Sequence, residues 1–144
     1  MVAAAGALGR QLIIVECHTG DELMRSFATV VERGAGAVTI ANMPLFWGNA
    51  DALVSFAAQY KIPTIYPGRR FVLRGGLISY GRDSADEMRI AAGLVGQILN
   101  GAMPADLPVR KSTKFDLIIN LKTAKQLGLK VPQNLLAFAD EVIE

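Results

Sequence analysis

Cysteine, histidine and tryptophan each occur once in the 144 residues, as Cys17, His18 and Trp47. A single thiol excludes an intrachain disulfide and any metal site built on several cysteines. Dense positive charge is missing as well. The net charge is +2, and only Arg69/Arg70/Arg74 and Arg110/Lys111/Lys114 form small basic groups. Nucleic-acid recognition needs a denser basic face, so no nucleic-acid partner is expected. Apolar windows such as Leu12–Val15 and Leu117–Ile119 fall far short of the ~20 residues that cross a bilayer. The opening MVAAAGALGRQ carries neither an early basic residue nor an apolar stretch of signal-peptide length, so the chain as written is expected to stay in the cytoplasm. Phosphate-loop spacings are absent too, which leaves Gly75, Gly76 and Gly81 as turn glycines.

What remains is a globular chain. Hydrophobic residues make up 51% and charged residues 19%, with no low-complexity tract and no internal repeat. A single domain of this size can bury roughly 68–70% of its unfolded surface. Short apolar runs of strand type fall at Gln11–Cys17, Ala37–Ala41, Ile62–Tyr66, Leu77–Tyr80 and Lys114–Asn120. Helical patterns alternate with them: Val2–Leu8, Glu22–Arg33 with Leu23, Phe27, Val30 and Val31 on one face, Ala50–Tyr60, Ala85–Asn100, Leu121–Leu127 and Gln133–Val142. Alternation of this kind predicts an α/β fold, three-layered αβα, with a mainly parallel sheet. Ser84 and Glu87 have capping-box spacing before the long helix, and Gly101 closes it. The connection Ala102–Ser112 is rich in proline and should run extended.

In an open parallel sheet, ligands bind beyond the carboxyl ends of the strands. The loops there supply Asn42, Trp47, Tyr66, Arg69, Arg70, Tyr80 and Arg82: aromatic faces for stacking and guanidinium forks for a carboxylate or phosphate. Taken singly, Trp47 reads as a packed loop anchor and Arg69/Arg70 as a solvated pair; their shared placement is what singles them out. Cys17 beside His18 has the composition of a nucleophile with its base, but adjacent residues at a strand end point to opposite sides. Asp83, Asp86 and Glu87 at a helix start read as capping groups rather than a metal site. No catalytic constellation, cofactor motif or metal set emerges from spacing.

Three segments carry a family resemblance: PTIYPGRRFVLRGGLISYGRD (63–83), ILNGAMPADLPVRKSTKFDLIINLKTAKQLGLKVP (98–132) and LLAFADEVIE (135–144). They resemble the C-terminal half of ABC-transporter substrate-binding proteins, of the family that includes receptors for tryptophan and other aromatic amino acids. The resemblance implies one lobe of a type I periplasmic-binding-protein fold plus crossover elements. Residues 1–83 would form most of the C-terminal ligand-binding lobe, 84–120 a crossover helix and strand belonging to an N-terminal lobe, and 121–144 helices that return. It implies a non-enzymatic solute-binding component of an importer, partial here, which holds a small solute, an amino acid among the candidates, between lobes. Asn42, Trp47, Tyr66, Arg70 and Tyr80 would contact the solute, and an ABC permease would be the partner. Relatives are periplasmic or membrane-anchored; this chain would lack their export signal, N-terminal lobe and first lobe strand. A stripe through Met88, Ala92, Val95 and Leu99 and the strand Asp116–Asn120 would then lose their partners, and a homodimer that buries them is expected. Two other readings stand beside this one. One is a small α/β enzyme acting on an anionic substrate through Cys17/His18 and Arg69/Arg70; the other is a non-binding fragment that only dimerises.

Overall fold

The computed structural model describes residues 2–144. Helices α1 (Val2–Ala7), α2 (Leu23–Glu32), α3 (Pro44–Gly48), α4 (Ala50–Gln59), α5 (Arg69–Val72), α6 (Ser84–Leu99), α7 (Leu121–Gln126) and α8 (Gln133–Ala137) accompany five strands. The strands are β1 (Val38–Thr39), β2 (Thr64–Tyr66), β3 (Ile78–Arg82), β4 (Phe115–Asn120) and β5 (Glu141–Ile143). They form a single sheet in sequence order. Pairs β1–β2, β2–β3 and β4–β5 are parallel, whereas β3–β4 is antiparallel, with Ser79 opposite Ile118 and Tyr80 opposite Leu117. The mainly parallel α/β sheet expected from the sequence is therefore present.

The core forms where two amphipathic helices meet the sheet. Leu23 and Phe27 of α2, and Ala50, Leu53, Val54 and Ala57 of α4, are buried with Ile62, Tyr66 and Phe71. Residues paired in a parallel register share a face, so Tyr66 and Ser79 lie side by side beneath α4 and α5. Both hydroxyls are buried without a hydrogen-bond partner. Gly75, at φ +97, makes the turn into β3 that an L side chain resists.

Several local expectations are corrected. Gln11–Cys17 is not a strand: it runs extended with no backbone hydrogen bond, and a groove of about 700 Å³ separates it from β1 and α2. Residues 42–49 are not all loop, because Pro44 starts the short helix α3, where a missing N–H costs nothing. The turn after β2 likewise holds α5. The last helix stops at Ala137, and Glu141–Ile143 joins the sheet instead. Asp140 secures that strand: its N–H donates to the Leu117 carbonyl at 2.8 Å, and its carboxylate accepts from the Leu117 N–H at 2.8 Å. Val142 and Ile143 are β-branched, which favours the extended form. The long helix α6 is capped by Asp83 rather than Ser84; the Asp83 carboxylate accepts from the Ala85 and Asp86 N–H groups at 2.9 and 3.2 Å.

Helix α6 differs from every other long element. Its sixteen residues include none that is buried. Met88, Val95 and Leu99 are 72%, 53% and 82% exposed. Two polar ties hold its first turn to the segment before β4: Lys114 Nζ donates to Asp83 at 2.7 Å, and Ser112 Oγ donates to Asp86 at 2.7 Å. Beyond those ties the helix stands out from the body.

Candidate functional site

The carboxyl ends of β2 and β3 meet at one shelf. The turn Pro67–Gly68 leaves β2 and is gripped on both sides. A Cβ on Gly68 would lie 2.5 Å from the Trp47 ring, and one on Gly81 would overlap the Pro67 carbonyl oxygen. Glycine at both positions lets the β2 turn, the α3 aromatic and β3 approach this closely. Trp47 is half-buried and ordered by two contacts: its indole N–H donates to Asn42 Oδ1 at 2.8 Å, and its ring tilts against Phe71 at 5.0 Å. Arg70, next to Phe71 on α5, is exposed on the same turn. Its neighbours are engaged, Arg69 with Glu141 at 2.7 Å and Arg74 with Asp51 at 2.7 Å.

Tyr80 sits one residue before Gly81 on β3. It is 58% exposed and stacks on Phe115 of β4 at 5.5 Å. Register places Tyr80, Arg82, Phe115 and Leu117 on one face, beyond the end of β2. The stacked pair therefore forms a separate aromatic platform beside the shelf. Local sequence does not single out Phe115 for this role; the antiparallel register that brings it to Tyr80 is a long-range pairing that no local pattern reveals.

Tyr66 does not belong to this surface. It is 1% exposed, with its ring stacked flat on Phe71 at 5.1 Å and closed over by Gly76. A side chain leaving the last residue of a parallel strand can point under the sheet as readily as above it, and this one points under. The structure thus pairs Asn42 with Trp47, leaves Arg70 exposed on the helix after β2, sets Tyr80 on the sheet face opposite Ser79 and withdraws Tyr66 into the core.

The residues of the enzyme reading are dispersed. Cys17 Sγ donates to the Thr19 carbonyl at 3.3 Å, whereas His18 faces Glu16 at 3.6 Å on the exposed side. Arg69 is committed to Glu141. Among the described residues, no group of three or more His, Cys, Asp or Glu side chains could hold a metal ion. Titration is perturbed instead at the joint with α6. The Lys114 ammonium, then the Asp86 N–H, hold the Asp83 carboxyl below its ordinary value, while burial and then the Asp83 charge raise Asp116.

These elements define a class of fold, an α/β protein with a mainly parallel five-stranded sheet and exposed aromatic and basic groups beyond the end of β2. The chain belongs to the family of ABC transporter substrate binding proteins, whose model matches residues 9–143. No curated protein matches it. Among solved structures, an ABC domain in complex with L-Trp from Streptococcus pneumonia is 27% identical, with a TM-score of 0.87 over 98% of this chain and 48% of that one. A conserved domain protein from Vibrio cholerae is similar in fold, at 24% identity and TM-score 0.87 over 97% of this chain and 47% of its own. CD0873 from Clostridium difficile, a substrate binding protein with adhesive properties in its ligand-free, open structure, shares 23% identity, with a TM-score of 0.63 over 98% of this chain and 47% of its own. The chain thus spans about half the length of the proteins it resembles. Among the described residues no helix is long and apolar enough to cross a membrane.

Proposed function

We propose that this chain supplies one wall of the solute-binding cleft of an ABC importer, outside the cytoplasmic membrane, and hands its solute to a permease. The role is binding, without chemistry on the solute. The observation that carries this reading is the exposed Tyr80–Phe115 stack beyond the end of β2, with Trp47 packed on the turn that leaves that strand and Arg70 exposed on the helix that follows it. An exposed guanidinium suits a carboxylate, and the aromatic faces suit a flat or apolar body. An amino acid satisfies both, and the L-Trp held by the Streptococcus pneumonia protein supports that solute class.

Calorimetric titration with a panel of amino acids tests it. Binding of at least one, weakened by Arg70→Ala and by Tyr80→Ala, is the expected result. Binding that neither substitution changes would overturn the assignment of these residues, and no binding at millimolar ligand would remove the cleft reading for this chain.

The exposed apolar stripe on α6 supports a second property, association of two copies through Met88, Ala92, Val95 and Leu99. The strand Asp116–Asn120, expected to share that role through an unpaired edge, has none to offer, because β3 and β5 pair with both sides of β4. Light scattering should then report a dimer. A monomer that persists at high micromolar concentration excludes it.

A further inference from the structure

Two rows of unpaired backbone face each other across the groove of about 700 Å³ between Gln11–Cys17 and β1. On one side, β1 is an edge strand. The Val38 and Ile40 N–H groups donate to the carbonyls of Pro63 and Ile65, on the β2 side, at 2.8 and 3.0 Å. Backbone groups alternate in direction along a strand, so those of Ala37 and Thr39 point away from β2 and into the groove, which both residues line. On the other side, no backbone N–H or carbonyl of Gln11–Cys17 meets a backbone partner among the described residues. The segment nevertheless keeps a strand's two-residue alternation: Ile13, Val15 and Cys17 are half-buried and line the groove, while Ile14 and Glu16 are exposed. Leu23, Phe27 and Val30 of α2 give the groove an apolar floor.

We propose that this groove is a slot for one added β-strand, an extended apolar peptide of about five residues contributed by polypeptide outside residues 1–144. Its main chain pairs with β1 on one side and with Gln11–Cys17 on the other. The size fits. A strand of about five residues is ~17 Å long and takes ~4.8 Å of width and ~10 Å of depth in a packed sheet, roughly 800 Å³ in all. The groove is of that order. The chemistry selects a peptide, because only a main chain offers donors and acceptors at the strand repeat to both rows at once. A lipid tail or a small solute would cover the apolar floor and leave both rows unpaired. A second folded copy is the wrong shape, since its own β1 edge lies behind its own Gln11–Cys17 wall. Two of the similar solved structures match 97% and 98% of this chain with only 47% and 48% of their own length, so proteins of this fold carry further polypeptide from which such a strand can come.

None of Asn42, Trp47, Arg70 and Tyr80 lines the groove, so the slot stands or falls independently of solute binding. Amide hydrogen exchange of the full chain tests it, with a panel of short synthetic peptides as probes. Each has a central run of about five residues drawn from valine, isoleucine and leucine, with a lysine pair at either end for solubility. At least one should slow exchange at Thr39 and within Ile13–Cys17 by about tenfold or more. The same peptide N-methylated along its central run is as apolar but lacks main-chain donors, and it should protect nothing. Thr39→Pro removes a groove-facing N–H without touching the bonds to β2, and the open side of an edge strand tolerates proline. In that variant the peptide should lose most of its protection of Ile13–Cys17. If the variant does not fold, the N-methylated peptide decides the question. Exchange that no peptide slows, equal protection by the N-methylated forms, or protection that rises with protein concentration alone, which would make a second copy the occupant, would each overturn the proposal.

Discussion

Helices α4 and α6 read alike in the sequence, each with an apolar stripe on one face, yet their fates in the structure are opposite. Helix α4 buries Ala50, Leu53, Val54 and Ala57 against α2 and the sheet. Helix α6 is longer and buries nothing. An apolar stripe records that a helix has a partner; it does not say where the partner comes from. For α4 the partner lies in the same body, at short reach on either side of the chain. For α6 no surface among the described residues buries the stripe fully: polar ties anchor its first turn, and beyond it Ile90 and Leu94 are only half-buried.

Paired leucine truncations give the largest contrast. Leu53 is 1% exposed, and Leu53→Ala should cost about 3 kcal/mol through lost burial and the cavity left behind. Leu99 is 82% exposed, and Leu99→Ala should stay within about 0.5 kcal/mol. Urea unfolding measures both. A Leu99→Ala cost as large as that of Leu53→Ala would show that α6 is packed in solution, and a dependence of that cost on protein concentration would identify a second copy as its cover.

Glycines sharpen the same comparison from the backbone side. Gly81 lies against the Pro67 carbonyl, so Gly81→Ala must push β3 away from the β2 turn and should cost about 2 kcal/mol or more. A methyl group added at Gly93, in the middle of α6, would meet nothing within 4 Å. Gly93→Ala should therefore stabilise by about 0.5–1 kcal/mol through helix propensity alone. Thermal unfolding of the two variants should move in opposite directions. A loss of stability in Gly93→Ala would mean that close packing, rather than open solvent, surrounds that face.

The body itself carries one correctable defect. Ser79 is fully buried, and its hydroxyl meets no partner. Ser79→Ala should gain about 1 kcal/mol, because it removes a desolvated polar group at little cost in volume. Destabilisation instead would point to a water bound between Ser79 and its neighbours.

How much of this was legible in the sequence follows the range of the interactions involved. The α2 and α4 faces, the β2, β3 and β4 runs and the α6 stripe were readable because each depends on local periodicity. The strand at Glu141–Ile143 was not, since helix and strand patterns coincide over so few residues and the pairing that decides it, Asp140 with Leu117, spans 23 positions. Gln11–Cys17 failed the other way: its composition suits a strand, but a strand also needs a neighbour, and β1 stands across a groove from it. At the candidate site, the placement of Asn42, Trp47 and Arg70 after strand ends was legible, whereas Tyr80, expected at the end of its strand, lies in the middle of β3, and the inward turn of Tyr66 and the arrival of Phe115 depended on tertiary packing.

The smallest expected effect lies at the joint between the two regions, where Asp83 both caps α6 and binds Lys114. Its carboxyl is held below the ordinary aspartate value of 3.8, first by Lys114 and then by the Asp86 N–H. A depressed folded-state value means that the unfolded chain takes up the proton first. The contribution is therefore present above the unfolded value and fades as pH falls through the folded one. Lys114 is 61% exposed, so solvent and salt screen much of the attraction. Acidification from about pH 5 to about pH 3 should loosen the base of α6 before it unfolds the body, and amide exchange at Ala85 and Asp86 should rise ahead of exchange at Ile118 and Ile119. Asp83→Asn should keep a side-chain oxygen for the cap while removing most of that pH dependence. Simultaneous loss of protection in both regions would show that arm and body are one cooperative unit, and the comparison between α4 and α6 would then reduce to a difference in exposure alone.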